Sequence, residues 1–236
     1  MQGLSLIELL IGLVLSSALI LTVSTLYLAV KQHYLVQESV LSMHVNSRLL
    51  HSLLLEYVAK AGFRQQFDQE RAHIFPALTT YPECPFKAAQ VLVPGAQPNS
   101  FCLRYQTATS AQLDCTGQPV EEVAVLLFEF RLNPQQPHLG SLYCKNLRAK
   151  VPAAAELLSG IADVHIQALS RTVEQEPQLV GLDVQWLMIS EQPFEQASAR
   201  ALDDWSGALQ SRLQQHFARH LYQESRAHFT IWQQGL

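Results

Sequence analysis

The sequence predicts an α+β fold: a long N-terminal helix packed on an antiparallel, β-rich head, with an additional amphipathic helix near the C-terminus. Three observations predict it. From Leu9 to Val30 there is no Asp, Glu, Lys or Arg, and Lys31 to Ala61 continues without a proline or glycine. Beyond Phe86, short runs of β-branched and aromatic residues alternate with turn residues such as Pro94-Gly95 and Thr116-Gly117. Trp205, Leu209, Leu213, Phe217 and Leu221 then recur every four residues, as one face of a helix does.

The twenty-two residues from Leu9 to Val30 would form a helix roughly 33 Å long, enough to cross a bilayer. A cleavable secretory signal would bring a basic leader, a shorter apolar run and a small-x-small cleavage site. None of these occurs, so the segment is expected to stay in the membrane. Gly12 and Ser16 are spaced for close helix approach, and no proline interrupts the chain before Pro76. Glu8 stands one turn inside the apolar run, where an ionised carboxylate costs on the order of 3 kcal/mol at the bilayer centre. It needs a counter-charge or a function.

Gly3-Leu4-Ser5-Leu6-Ile7-Glu8 resembles the class III signal of type IV prepilins and pseudopilins. The resemblance implies cleavage after Gly3 by prepilin peptidase, N-methylation of Leu4, and Glu8 as the carboxylate that guides assembly. It divides the chain into a leader (1–3), a transmembrane half-helix (4–30), a periplasmic half-helix (31–62) and a globular head (63–236). Leu4 occupies the position where phenylalanine is commonest, and Met1-Gln2-Gly3 carries no basic residue. Lys31 and His33 lie on what would be the outer side, against the positive-inside tendency, so orientation rests on the motif. An ordinary signal anchor would account for the apolar run but not for Gly3 and Glu8 together.

Beyond the span, Val36, Val40, Met43, Ser47, Leu50, Leu54 and Val58 form one stripe expected to face the head. Tyr34, Leu41 and Val45 lie on roughly the opposite side, either as a contact for neighbouring subunits or as a wider core face. Gly62 is placed to end the helix, since glycine adopts the left-handed C-cap conformation at little cost. Phe63 to Phe86, with Pro76, Pro82 and Pro85, is expected to cross as a loop.

Strands are expected at Ala89–Val93, Phe101–Thr107, Ala111–Cys115, Val120–Leu132 and Leu139–Cys144, the apolar core of the fourth being covered on both faces. Ala153–Leu158 reads as a short helix ending at Gly160, followed by strands at Val164–Ser170 and Leu179–Ile189. Asp203–Tyr222 reads as the amphipathic helix, with Asp203-Asp204 as its N-terminal cap, and Arg226–Gln233 as a final strand. The order of Ala61-Gly62-Phe63, Asp114-Cys115-Thr116-Gly117, Ser141-Leu142-Tyr143-Cys144 and Leu158-Ser159-Gly160-Ile161-Ala162-Asp163-Val164 resembles minor pilins of the PilW type.

Cys84, Cys102, Cys115 and Cys144 all follow the membrane segment, and an even count in an oxidising compartment favours two bridges. Three connectivities are open, among them Cys102–Cys115 across a hairpin. The PilW resemblance implies that the Asp-Cys and Leu-Tyr-Cys words belong together, giving Cys115–Cys144 and leaving Cys84–Cys102.

A net charge of −4 without a lysine or arginine cluster gives no footprint for nucleic acid. His216 and His220, four apart, lack the further ligands of a zinc site, so no metal or cofactor is expected. No phosphate loop, serine elbow or cysteine-nucleophile context occurs, and no enzymatic activity is expected. The resemblance implies a minor pilin that primes assembly or forms the tip of a type IV pilus. Its partners would be other minor pilins, the major pilin, prepilin peptidase, the inner-membrane assembly platform and membrane lipid. The expected location is the bacterial inner membrane, single pass with a periplasmic head, and then the pilus. The alternatives are a type II secretion pseudopilin and a membrane-anchored periplasmic binding protein that never polymerises.

Overall fold

The computed structural model describes residues 6–66, 68–109, 112–173, 176–194, 205 and 219–231, with backbone alone at 173 and 176–178. The chain forms two compact units, Met1–Ser42 and Met43–Leu236. Helix α1 (Leu6–Lys60, 55 residues) begins in the first and ends in the second. It stops as its composition requires: Gly62 takes φ +80°, and its N–H donates to the Arg104 carbonyl at 2.9 Å.

The second unit is a helix laid on a seven-stranded sheet. After a single-turn α2 (Arg71–Ile74) come β1 (Leu92–Pro94), β2 (Ser100–Gln106), β3 (Val123–Leu132), β4 (Gly140–Asn146), β5 (Ala154–Val173), β6 (Glu176–Ile189) and β7 (Tyr222–Thr230). Each strand pairs antiparallel with its neighbour in sequence, so the sheet is a meander ordered β1 to β7. One face carries Phe101, Leu103, Leu126, Phe128, Val184, Trp186 and Phe229, which enclose Met43, Leu50, Leu54, Tyr57 and Val58 of α1. This is the apolar stripe of α1, buried from Met43 onward; Val40, in the first unit, is 36% exposed. At the centre of the contact Trp186 Nε1 donates to Ser47 Oγ at 2.9 Å, and Ser47 Oγ lies 3.0 Å from Ser225 Oγ. A polar residue on the buried stripe is thus matched by partners on two strands.

The other face of β2 and β3 is covered by the crossing loop. Leu78, Tyr81, Cys84 and Phe86 pack there with Val93, Cys102, Val125, Leu127 and Leu147, so β3 is buried on both sides. Arg104 holds this cover in place. Its guanidinium donates to the carbonyls of Gln90 (2.5 Å), Pro76 (2.6 Å), Lys87 (2.9 Å) and Phe75 (3.0 Å). The rings of Phe75 and Phe86 lie 5.3 and 4.6 Å from its central carbon. Burial pushes its pKa down to about 10, and at neutral pH it stays charged.

Disulfides join Cys84 to Cys102 (Cα–Cα 5.7 Å) and Cys115 to Cys144 (Cα–Cα 6.1 Å). The first ties the crossing to β2 and the second ties the 114–118 turn to β4, each contributing about 2–4 kcal/mol if it acts chiefly on the unfolded chain. Asp114 organises that turn, accepting from Thr116 N (2.8 Å), Thr116 Oγ1 (2.7 Å), Gln118 N (3.0 Å) and Asn146 Nδ2 (2.7 Å).

Two sequence expectations are corrected. Ala153–Leu158 is not a helix; it enters β5, where Glu156 and Leu158 stand opposite Tyr143 and Leu142. Helix-favouring alanines and leucines yield to strand pairing, and Gly160, expected to stop a helix, sits at φ +77° in the register shift opposite Ser141. The expected strand Ala111–Cys115 is reduced, in its described part, to one bridge between Leu113 and Pro119, because the Asp114 carboxylate takes the amides that a ladder would use. The amphipathic helix Asp203–Tyr222 and its Asp203-Asp204 cap lie largely outside the described residues; its last residue, Tyr222, opens β7 instead. The final strand accordingly starts four residues earlier than Arg226.

Two outcomes follow. Arg104→Leu takes the side-chain donors from four carbonyls, those of Pro76 and Gln90 in part-buried contacts, at about 1–3 kcal/mol for each left without a partner, and should lower the melting temperature of the detergent-purified protein by several degrees, roughly 5–10 °C. The second concerns acid. Hydrogen bonds from Arg226 hold the Asp183 carboxyl below the usual range, while at Asp114 burial raises the pKa and hydrogen bonds from Thr116, Asn146 and the backbone outweigh it. Both carboxylates therefore contribute stability that is complete above the ordinary aspartate pKa of about 4 and lost as pH falls through their lower folded values. Urea midpoints should be flat from neutral pH to about 5 and fall below about 4, the fall being smaller in Asp183→Asn.

Candidate membrane-spanning and assembly face

The first part of α1 is apolar around its whole circumference. Leu9, Leu10, Ile11, Leu13, Val14 and Leu15 point in all directions and are 55 to 63% exposed, and the same holds through Val30 at 59%. A helix uncovered and apolar on every side has no stable place in water, and this one is long and apolar enough to span a membrane. Four of its hydroxyls are turned inward on the helix itself. Ser16, Ser17 and Thr25 donate to the carbonyls three residues back at 2.8–3.0 Å, and Thr22 to that of Ala18 at 2.6 Å. Such self-satisfaction is what a hydrocarbon environment demands of hydroxyls. A Cβ added at Gly12 would meet nothing within 4 Å, so the Gly12/Ser16 side is open to the approach of another helix.

Glu8 lies in the first turn of α1, where a carboxylate is favoured by the unpaired amides of a helix N-terminus. Gly3 and Leu4, the expected processing site, lie outside the described residues. The second row is decided by the structure: Tyr34, Leu41 and Val45 are 63, 64 and 55% exposed, so they do not widen the core. Leu49 (45% exposed) and Leu55 (46%) add to the uncovered apolar surface of α1. These two were not singled out in the sequence, although the four-residue step Leu41, Val45, Leu49 was available to find the first of them.

Of the histidine pair, His216 lies outside the described residues. His220 is buried, its Nδ1 2.8 Å from the Ser190 carbonyl and its ring 5.1 Å from that of His138. Nδ1 therefore carries the proton and donates to that carbonyl. Among the described residues no group of three His, Cys, Asp or Glu side chains is placed to hold a metal ion. The four cysteines lie at the sheet, away from α1's apolar segment in sequence, and serve the head.

The two sides of α1 should respond differently to substitution. Leu54→Ala, at 2% exposure, should cost about 2–5 kcal/mol. Val45→Gln should stay within about 0.5 kcal/mol of the parent protein, both read from denaturant unfolding of the purified chain. Comparison with family models, with curated proteins and with solved structures found no match to this chain.

Proposed function

We propose that this chain is a minor pilin of the PilW type, a structural subunit that primes a type IV pilus or caps its tip together with other minor pilins. The observation that carries the reading is α1. One uninterrupted helix is apolar on all sides at its start, then buries one stripe in its own head while leaving Tyr34, Leu41 and Val45 uncovered. A membrane protein that acted alone would need the first feature and not the second. An uncovered apolar row continuing from a membrane span suits a subunit that leaves the bilayer and bundles with the helices of its neighbours. Gly3, Leu4 and Glu8 supply the matching processing and assembly signal, and the two disulfides suit a head that functions outside the reducing cytoplasm. In this reading the chain sits first in the bacterial inner membrane with its head in the periplasm. Lipid gives way to the helices of other minor pilins and of the major pilin when it is extracted by the assembly platform.

Glu8 has a physical role in that transfer. Cleavage after Gly3 creates a new amine on Leu4, one helical turn away, in the same chain or on an adjacent subunit. In a low-dielectric setting an isolated carboxylate is costly and a paired one far less so, so docking beside a neighbour is favoured.

Intact mass of the membrane-extracted chain tests the processing step. Removal of Met1–Gly3 and one methyl group on Leu4 are expected, and Gly3→Val should retain the leader and lack the methyl. Normal processing of Gly3→Val would sink the prepilin reading. Glu8→Ala should insert and be cleaved but fail to co-purify with partner pilins, with Glu8→Asp intermediate; unchanged recovery and piliation would favour the non-polymerising anchor. Dependence of secretion rather than piliation on the gene would favour the pseudopilin.

A further inference from the structure

The β3–β4 hairpin and the seam between β4 and β5 enclose a groove of about 670 Å3. Its floor has a local cause. Ladder partners pass from Gly140 and Ile161 to Leu142 and Leu158, so Ser159 and Gly160 together stand against Ser141. The extra residue bulges β5, with Gly160 at φ +77°, and bulges of this kind re-aim side chains beside functional sites. The facing wall is the hairpin loop, closed by the Asn133 N–H on the Leu139 carbonyl and the Leu139 N–H on the Gln136 carbonyl, both at 2.8 Å. A groove of this size falls within the range that small ligands occupy.

Its polar groups indicate the occupant. Glu156 stands opposite Tyr143 in the ladder and accepts from Ser141 Oγ at 2.8 Å and from Tyr143 Oη at 3.4 Å, one hydroxyl on each carboxylate oxygen. Arg131 lies over the Tyr143 ring, its central carbon 5.0 Å from the ring centre, with its Nε on Glu129. The two Nη groups of Arg131, the Gln136 amide, the Ser159 hydroxyl and the Glu191 carboxylate belong to the same lining and have no hydrogen-bond partner among the described residues. Carboxylates, amides and guanidinium groups carry two acceptors or donors side by side, which suits neighbouring hydroxyls. Other ligand classes fit less well. One guanidinium against Glu156 and Glu191 leaves no positive excess for a phosphate or an acidic ligand. Because β4 is hydrogen-bonded to both β3 and β5, the floor has no free strand edge for a peptide to extend. The apolar lining is limited to Leu132, Pro134, Leu139 and the Tyr143 ring, which is little for a lipid.

We infer that this groove binds an uncharged oligosaccharide. A sugar hydroxyl donates one hydrogen bond and accepts others, and the lining offers both halves. Glu156 and Glu191 take its proton, while the Nη groups of Arg131 and the Gln136 amide donate to its oxygen. Glu156 is the specificity-determining group. Ser141 and Tyr143 fix its position, and a carboxylate, with about four lone-pair sites, keeps room for ligand hydroxyls beyond those two. Arg131 repels a cation that the two carboxylates alone would attract. None of the lining residues belongs to α1, so the inference stands or falls separately from pilus assembly.

The test uses the full chain in lipid nanodiscs, free of sugar-based detergent, on an array of defined uncharged oligosaccharides, followed by titration of the sugar retained most strongly. At least one oligosaccharide is expected to be retained. Glu156→Gln should weaken its binding roughly tenfold, the loss of one hydrogen bond to a charged acceptor. Ser159→Trp should abolish binding by filling the groove. Both side chains are exposed, so both variants should keep the parent melting temperature. A further measurement leaves the protein unchanged. Among singly deoxygenated analogues of the retained sugar, the one lacking the hydroxyl that Glu156 accepts should bind the parent more weakly, yet lose little more in Glu156→Gln. An array with no retained sugar, retention indifferent to Ser159→Trp, losses that add for every deoxygenated analogue, or retention of oligolysine in preference to sugars would each overturn the inference.

Discussion

The structure depends on how one helix divides its circumference. Over Leu6–Val30 α1 has no polar side to turn toward water, and the hydroxyls of Ser16, Ser17, Thr22 and Thr25 are spent on its own carbonyls. From Met43 to Val58 the same helix is one-faced, and the sheet closes over that face. Nothing in the backbone marks the change, because no proline or glycine falls between them. The change lies in the side chains alone, which is why one helix can be apolar all round at its start and one-faced at its end.

The head solves a problem that this arrangement creates. A helix covers only one face of a sheet, and β3, with Val123 to Phe128 buried without interruption, needs two. The second cover is a loop crossing rich in proline, closed on itself by bonds such as those that Leu78 and Phe86 exchange. Arg104 anchors it by offering its donors to the carbonyls of Phe75, Pro76, Lys87 and Gln90, and the Cys84–Cys102 bridge ties the same segment to β2. A cation in place of an apolar core residue is costly to bury, and it is tolerated here because every direction in which it points ends on a carbonyl or an aromatic ring. The Asp114 turn is the anionic counterpart, with a carboxylate collecting amides where the chain has no ladder.

Residue spacing by itself determined the long helix, its buried stripe, the Gly62 stop and the antiparallel character of the head, because these follow from local periodicity and from turn residues that act within a few positions. It did not determine the fate of Ala153–Leu158, whose alanines and leucines favour a helix in isolation and become β5 only because β4 is there to pair with. Nor could it say whether Tyr34, Leu41 and Val45 were core or surface, since an apolar residue on a helix reads alike in both cases until the far side is known to be empty. Among the three cysteine pairings left open by the residues, the choice belongs to the sheet, which brings Cys102 beside the crossing at Cys84 and Cys144 beside the turn at Cys115. Arg104 was invisible for the same reason. Its four acceptors are spread over Phe75 to Gln90, and only the folded chain gathers their carbonyls around one guanidinium.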